Sequence, residues 1–251
     1  MPYLQTVILG TLAGLTIFLG LPVARLQAVA RERLAFLNAL AIGVLFFLFV
    51  DILGHALTPI NADLGEHAGT GWFLLLLLCG GVALGLLGLV YYTQHTRRRG
   101  TVSPHRLALL IAGGIGLHNF AEGLAIGSSA RAGALALAVL LIIGFGLHNA
   151  TEGFGIAAPL AGQPVSWRFL GVAGLIGGGP TFLGTLAGYR FSSPSVSVVF
   201  LALASGAIMY VIGELLAAGR KLGAPTWQGW GLTIGLLAGI VTDVLLTAIG
   251  A

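Results

Sequence analysis

Long apolar runs, broken by short clusters of charge, proline and polar side chains, are the dominant pattern along the chain. A helix needs about 20 apolar residues to cross a bilayer. The runs therefore predict eight helices near 4–24, 34–57, 71–92, 106–128, 132–160, 167–189, 195–218 and 227–249. A transmembrane β-barrel would alternate apolar and polar residues in segments of about ten, a pattern absent here. Ser103-Pro104 marks a helix start, since serine accepts from free backbone amides and proline has none to leave unpaired. The first run lacks a basic leader and a small-residue cleavage site, so it is expected to remain as a helix. The fold class is an all-α polytopic membrane protein, read as one domain over residues 1–251 because no connection is long enough for a second.

Composition supports this reading. Of 251 residues, 57% are hydrophobic and 8% charged, where soluble domains carry about a quarter charged residues. Disorder is excluded on the same grounds. The 12 Lys+Arg form no basic surface, so no nucleic acid is expected as a partner. They report orientation instead: with eight spans, Arg25, Arg31, Arg33, Arg97, Arg98, Arg99, Arg106, Arg168, Arg220 and Lys221 fall on one side, Arg131 and Arg190 on the other. The positive-inside rule then puts both termini outside and the loop near 93–105 in the cytoplasm. The 40 glycines are spread through the helices, which in lipid signals close helix packing. The single cysteine, Cys79, lies in an apolar run and is expected to be packed.

Polar residues inside spans carry the chemistry, because charge in a membrane is expensive. Glu32, Asp63 and Glu66 are assigned to loops, and Asp51, Glu122, Glu152, Glu214 and Asp243 to spans. His67, His95 and His105 are assigned to loops, His118 and His148 to helix interiors, and His55 to the outer end of the second helix. One phrase occurs twice, thirty residues apart: Gly116-Leu117-His118-Asn119-Phe120-Ala121-Glu122-Gly123 and Gly146-Leu147-His148-Asn149-Ala150-Thr151-Glu152-Gly153. At about 100° per residue, His at zero puts Glu near 40° and Asn near 100°, so all three share a sector. The flanking glycines fall at about 140° to 160°, where they admit a neighbouring helix.

Imidazole, amide oxygen and carboxylate on facing helices form a ligand set for Zn²⁺, with Fe²⁺, Mn²⁺ and Cd²⁺ as further candidates. Cys79, Met1 and Met209 lie outside both phrases, so a soft, sulfur-ligated metal is not favoured. The competing reading makes each triplet an interhelical hydrogen-bond clamp, but two copies at identical spacing argue for a functional site. Asp51 and His55 share a helix face toward the outside, where an incoming cation first meets the protein; a local polar pair is the alternative. Asp243 has no partner nearby in sequence. Pro159 and Pro180 are candidate kinks.

The paired motif and eight-span layout resemble the ZIP (Zrt/Irt-like protein) family of divalent-metal transporters, whose fourth helix carries His-Asn-x-x-Glu-Gly and whose fifth carries a related motif. The resemblance implies a transport site between helices four and five lined by His118, Asn119, Glu122, His148, Asn149 and Glu152. Gly206 to Leu216 looks like the family segment ending in Glu-Leu-Leu, making Glu214 an accessory pathway residue. Many relatives add a Glu from the sixth helix; here Gly179-Pro180-Thr181-Phe182 places Thr181 where that Glu would be, which favours one principal metal. The resemblance also implies a homodimer and a four-helix transport unit moving against a scaffold.

The expected function is a secondary importer of divalent cations by alternating access, with the metal as transported substrate, no cofactor, and the bilayer as setting. No phosphate-binding glycine loop is present to couple ATP. The short loops suggest a bacterial inner membrane. Two rivals remain at this stage. An intramembrane metal-dependent hydrolase needs an acid-base dyad that the sequence does not offer. A proton-coupled organic solute carrier would use the same buried Glu and His as relays.

Overall fold

The computed structural model describes residues 2–25, 30–66, 68–97, 103–133, 135–160, 162–191 and 193–248. Among these the chain forms α1 (Tyr3–Leu15), α2 (Ile17–Gly20), α3 (Arg31–Glu66), α4 (Ala68–Arg97), α5 (Pro104–Arg131), α6 (Leu135–Ala157), α7 (Trp167–Arg190), α8 (Pro194–Leu222) and α9 (Pro225–Ala248), with no strand. Seven segments of the described residues are long and apolar enough to cross a membrane, with Tyr3–Arg25 counting as one across α1, α2 and a 3₁₀ turn. The 23 residues of α6 add a helix of about 35 Å, beyond the ~30 Å of a hydrocarbon core.

Local signals set the ends. The Ser103 side chain accepts from the Arg106 amide at 3.3 Å, and the Ser166 side chain from Phe169 at 3.1 Å. Gly223 ends α8 with φ 63°, a left-handed conformation that a side chain would strain. Thr16 interrupts the first span: its hydroxyl donates to the Ala13 carbonyl at 2.7 Å, competing with the helical ladder.

Several sequence assignments change. Glu32, Asp63 and Glu66, expected in loops, all lie within α3, which runs nine residues past its expected end and carries Pro59 inside it. Polar residues at a membrane edge do not stop a helix whose last turns are solvated, and proline there removes one hydrogen bond without ending the chain of others. His95 lies in α4 and His105 in the first turn of α5, while His67, Arg98 and Arg99 lie outside the described residues. Pro159 falls in the 3₁₀ turn Ala158–Leu160 that closes α6, and Pro180 lies within α7. Cys79 is exposed on α4 rather than packed: hydropathy cannot tell a lipid-facing position from a buried one.

Glycine divides the helices into two groups. On α5 and α7, a Cβ at Gly123, Gly127, Gly184 or Gly188 would run into backbone of the facing helix, so these two helices touch main chain to main chain. Gly14 meets Gly178 in the same way between α1 and α7, and Gly20 meets Gly153 between α2 and α6. In a second group, Gly231 and Gly235 of α9 lie against α3 backbone, and Gly85 and Gly206 join α4 to α8. The groups face each other mainly through side chains: Gly114 meets Val211, and Gly155 meets Leu215 and Ala41. The apolar core between them includes Ile111, Ile115, Ile156, Ile208, Val211 and Leu215.

Gly184→Val, which puts a side chain against the Phe120 carbonyl, is expected to cost about 2–3 kcal/mol by overpacking. Gly171→Ala on the same helix meets open space and is expected to stay within about 0.5 kcal/mol of the parent. Thermal unfolding in detergent reads both; equal shifts would refute the main-chain contact.

Candidate metal centre

The repeated phrase lands on α5 and α6, the fourth and fifth long helical segments when α1 and α2 are counted as one. Spacing of four residues stacks His118 over Glu122 on one face of α5, with His118 Nε2 3.0 Å from Glu122 Oε1. From α6, His148 Nε2 comes within 2.5 Å of the same oxygen. Glu152, one turn beyond His148, puts Oε1 3.6 Å from His118 Nε2. The His118 and His148 rings lie 6.2 Å apart, and Phe145 packs 5.3 Å from His148. Ligand atoms of His118, Glu122 and His148 all fall within 4.8 Å of one another. Atoms around a tetrahedral Zn²⁺ at about 2.0 Å stand about 3.3 Å apart, so little movement is needed to receive one.

Burial explains why a cation fits. The His118 and Glu152 side chains have no exposed surface, and Glu122 has 3%. Buried polar atoms normally find hydrogen-bond partners. Among the described residues, those that do not are His118 Nδ1 and Nε2, Glu122 Oε2, both Glu152 oxygens, Asn119 Oδ1, Asn149 Oδ1, Thr181 Oγ1 and, elsewhere, Asn38 Oδ1. All but the last belong to the two motifs or to the facing stretch of α7. A cation supplies what the oxygens among them lack, and His118 Nε2, already 3.0 Å from Glu122 Oε1, is the imidazole nitrogen placed to join them.

The two asparagines hold their helices. Asn119 donates to the Gly177 carbonyl at 2.9 Å, and Asn149 to the Ala13 carbonyl at 3.1 Å. Ala13 is the residue whose carbonyl the Thr16 break leaves turned toward α6.

His118, Glu122 and His148 form part of the wall of a cavity of about 620 Å³. Its lining takes the later half of α5 up to Ser128, the middle of α6 from Gly144 to Thr151, Ser197 and Leu201 of α8, and Ala238 to Asp243 of α9. The opposite halves of α5, α6 and α8 are packed in the apolar core. Among the described residues, this cavity thus reaches the cluster from the side opposite that apolar core. Asp51 and His55 line this cavity, with His55 Nδ1 3.4 Å from Asp51 Oδ1 and 3.0 Å from the Asp51 carbonyl. Asp243, unpartnered in the sequence reading, lines the same cavity from α9; only packing of α9 on α3 brings it there. Glu214, half-buried on α8, and Thr181, fully buried on α7, do not line it.

No protein-family model matches the chain. The zinc transporter ZupT of Chlorobium luteolum is 32% identical over 263 aligned positions, covering 96% of this chain and 97% of that protein. The chain belongs to the ZIP family. This ZIP-family chain is therefore a multi-pass membrane transporter rather than an enzyme, and its buried His/Glu cluster fits a divalent-metal site.

Replacing either of two candidate ligands, His118→Ala or Glu122→Ala, is expected to lower Zn²⁺ affinity at least tenfold to a hundredfold, read by competition with a chromophoric chelator. The ligands must shed protons to bind, so affinity should fall as pH drops from 7.5 to 5.5. Affinity independent of pH would contradict imidazole ligation.

Proposed function

We propose that the chain imports Zn²⁺, and with it Fe²⁺, Mn²⁺ or Cd²⁺, into the cytoplasm by alternating access through the cluster of His118, Glu122, His148 and Glu152, with Asn119 and Asn149 positioning the helices that carry it. The observation that carries the proposal is the cluster at the base of a one-sided cavity, closed on its other side by apolar packing. The cavity lining extends to Ser128, toward the end of α5 that carries Arg131, and to Ser197, near the start of α8 that follows Arg190, which is the arginine-poor side that the charge asymmetry assigns to the outside. Eight spans, α6 included, give both termini the same outer location, in a bacterial inner membrane.

The glycine contacts supply the moving parts. Main-chain contacts bind α1, α2, α5, α6 and α7 together and pair α3 with α9 and α4 with α8, while branched apolar side chains meet between the first group and these pairs. Displacement of the first group, which holds all four ligands, would carry the metal past the apolar core. Asp51, His55 and Asp243 would meet the hydrated ion at the mouth and raise its local concentration. Glu214 would serve the inner path and Thr181 the interior of the moving group. A homodimer is the assembly the family layout supports.

Proteoliposomes of the pure protein should show saturable Zn²⁺ uptake that Glu152→Ala lowers at least a hundredfold at matched protein content and thermal stability. Uptake persisting in the variant, or organic-solute flux surviving full chelation of divalent metal, would overturn the proposal.

A further inference from the structure

The cavity that reaches the His/Glu cluster is much larger than the ion it would admit. A hexahydrated divalent ion, at about 30 Å³ per water, occupies about 180 Å³. The cavity holds about 620 Å³. Sites for drug-sized molecules span about 300–1,000 Å³ and have mainly apolar walls with a few placed polar groups. Phe47, Leu48, Ile52, Leu124, Phe145 and Leu201 make up much of this wall, and none of their side chains can ligate a metal. The aromatic and acidic groups are stacked in order. Gly239 of α9 seats the ring of Phe47 from α3, since a Cβ there would collide with it. Asp51 lies four residues beyond Phe47, and Asp243 four residues beyond Gly239. The two helices run in parallel register, with Gly231 against Phe36 and Gly235 against Leu40. Both carboxylates therefore stand one turn, about 6 Å, beyond the ring toward the outer mouth. One imidazole, His55, lies within electrostatic reach of both acids, and no Lys or Arg lines the cavity among the described residues. To the side, Leu147 continues the exposed stripe of Val139 and Ile143 along α6 and also lines the cavity, which thus reaches the bilayer face of that helix.

We propose that this cavity binds a monovalent organic cation with apolar substituents, a quaternary ammonium or phosphonium, and that the bound cation blocks the path of the metal. Its charge would sit between Asp51 and Asp243, with its substituents against Phe47 and the apolar wall. The inference rests on the reading of this cavity as the outer route to the transport site. An aromatic face on one side and carboxylates on the other are the two features that hold such cations: the ring attracts them through its quadrupole, the acids through charge, and neither needs a proton from the ligand. A neutral apolar molecule would gain nothing from the acids, and an organic anion would meet them with like charge. A small ammonium without substituents would leave the apolar wall unfilled. The cation acts as a plug rather than cargo. It has no lone pair or open coordination position to offer His118, Glu122 or His148, and the apolar core of Ile111, Ile115 and Val211 lies beyond them.

The test is equilibrium binding of tritiated tetraphenylphosphonium to the purified full chain, with tetraphenylborate, an anion of the same shape, measured separately. Wild type should bind the cation saturably and show no saturable binding of the anion. Asp51→Asn and Asp243→Asn, which keep the side-chain shape, should each weaken cation binding roughly tenfold. Phe47→Leu, which keeps apolar bulk and loses the ring face, should weaken it about fivefold while Zn²⁺ affinity stays within about threefold. In proteoliposomes with the membrane potential clamped by K⁺ and valinomycin, external tetraphenylphosphonium should slow Zn²⁺ uptake over the same concentrations at which it binds. Equal saturable binding of both ions, or unchanged binding in both carboxylate variants, would overturn the cation site, and binding that leaves Zn²⁺ uptake untouched would overturn the block. Absence of Zn²⁺ uptake without any organic cation would defeat the transport reading instead, with the binding measurement still deciding the site.

Discussion

A carboxylate buried in a membrane bundle must be compensated, and Glu122 and Glu152 impose that requirement on the centre of this fold. Two imidazole nitrogens converge on one Glu122 oxygen, at 3.0 Å from α5 and 2.5 Å from α6. The arrangement is polar enough to hold its helices together and still leaves acceptors unmet on both glutamates. A fully satisfied network would rigidify the bundle; a partly satisfied one is costly unless a ligand completes it. The site is thus built with its occupant as a missing member, which is what a carrier needs if loading is to change the energetics of its interior.

Close packing surrounds that centre with one group of helices. Helices joined main chain to main chain through glycine cannot slide past each other without breaking many contacts, while branched side chains on a smoother interface can repack. The four candidate ligands all belong to α5 and α6, and these are joined by main-chain contacts to α7 and to α2, so the cluster sits within one tightly packed group. The tethers from Asn119 and Asn149 reinforce the same group, which explains asparagine at those positions even before any role toward an ion.

The sequence made the site legible because its geometry is local. His and Glu four residues apart must share a helix face, and a second copy on the next span must face the first or lipid. Helix existence was equally plain from hydropathy. What depends on tertiary contact was not. Asp243 joins Asp51 and His55 only through the packing of α9 on α3. Cys79 turns outward on α4, since lipid and protein interior are alike to an apolar side chain. Helix ends ran past expectation at Glu66 because polar residues at a membrane edge are as comfortable in a solvated helix as in a loop. The Thr16 break and its use of the Ala13 carbonyl arise from one hydroxyl competing for the ladder, a choice no pattern of apolar positions records.

The most direct measurement of the central claim is zinc-edge X-ray absorption on the purified protein loaded with one Zn²⁺. The account predicts a shell of nitrogen and oxygen at about 2.0 Å with scattering from two imidazoles, falling to one in His148→Ala. A shell with no imidazole scattering, or one containing sulfur at about 2.3 Å, would contradict it.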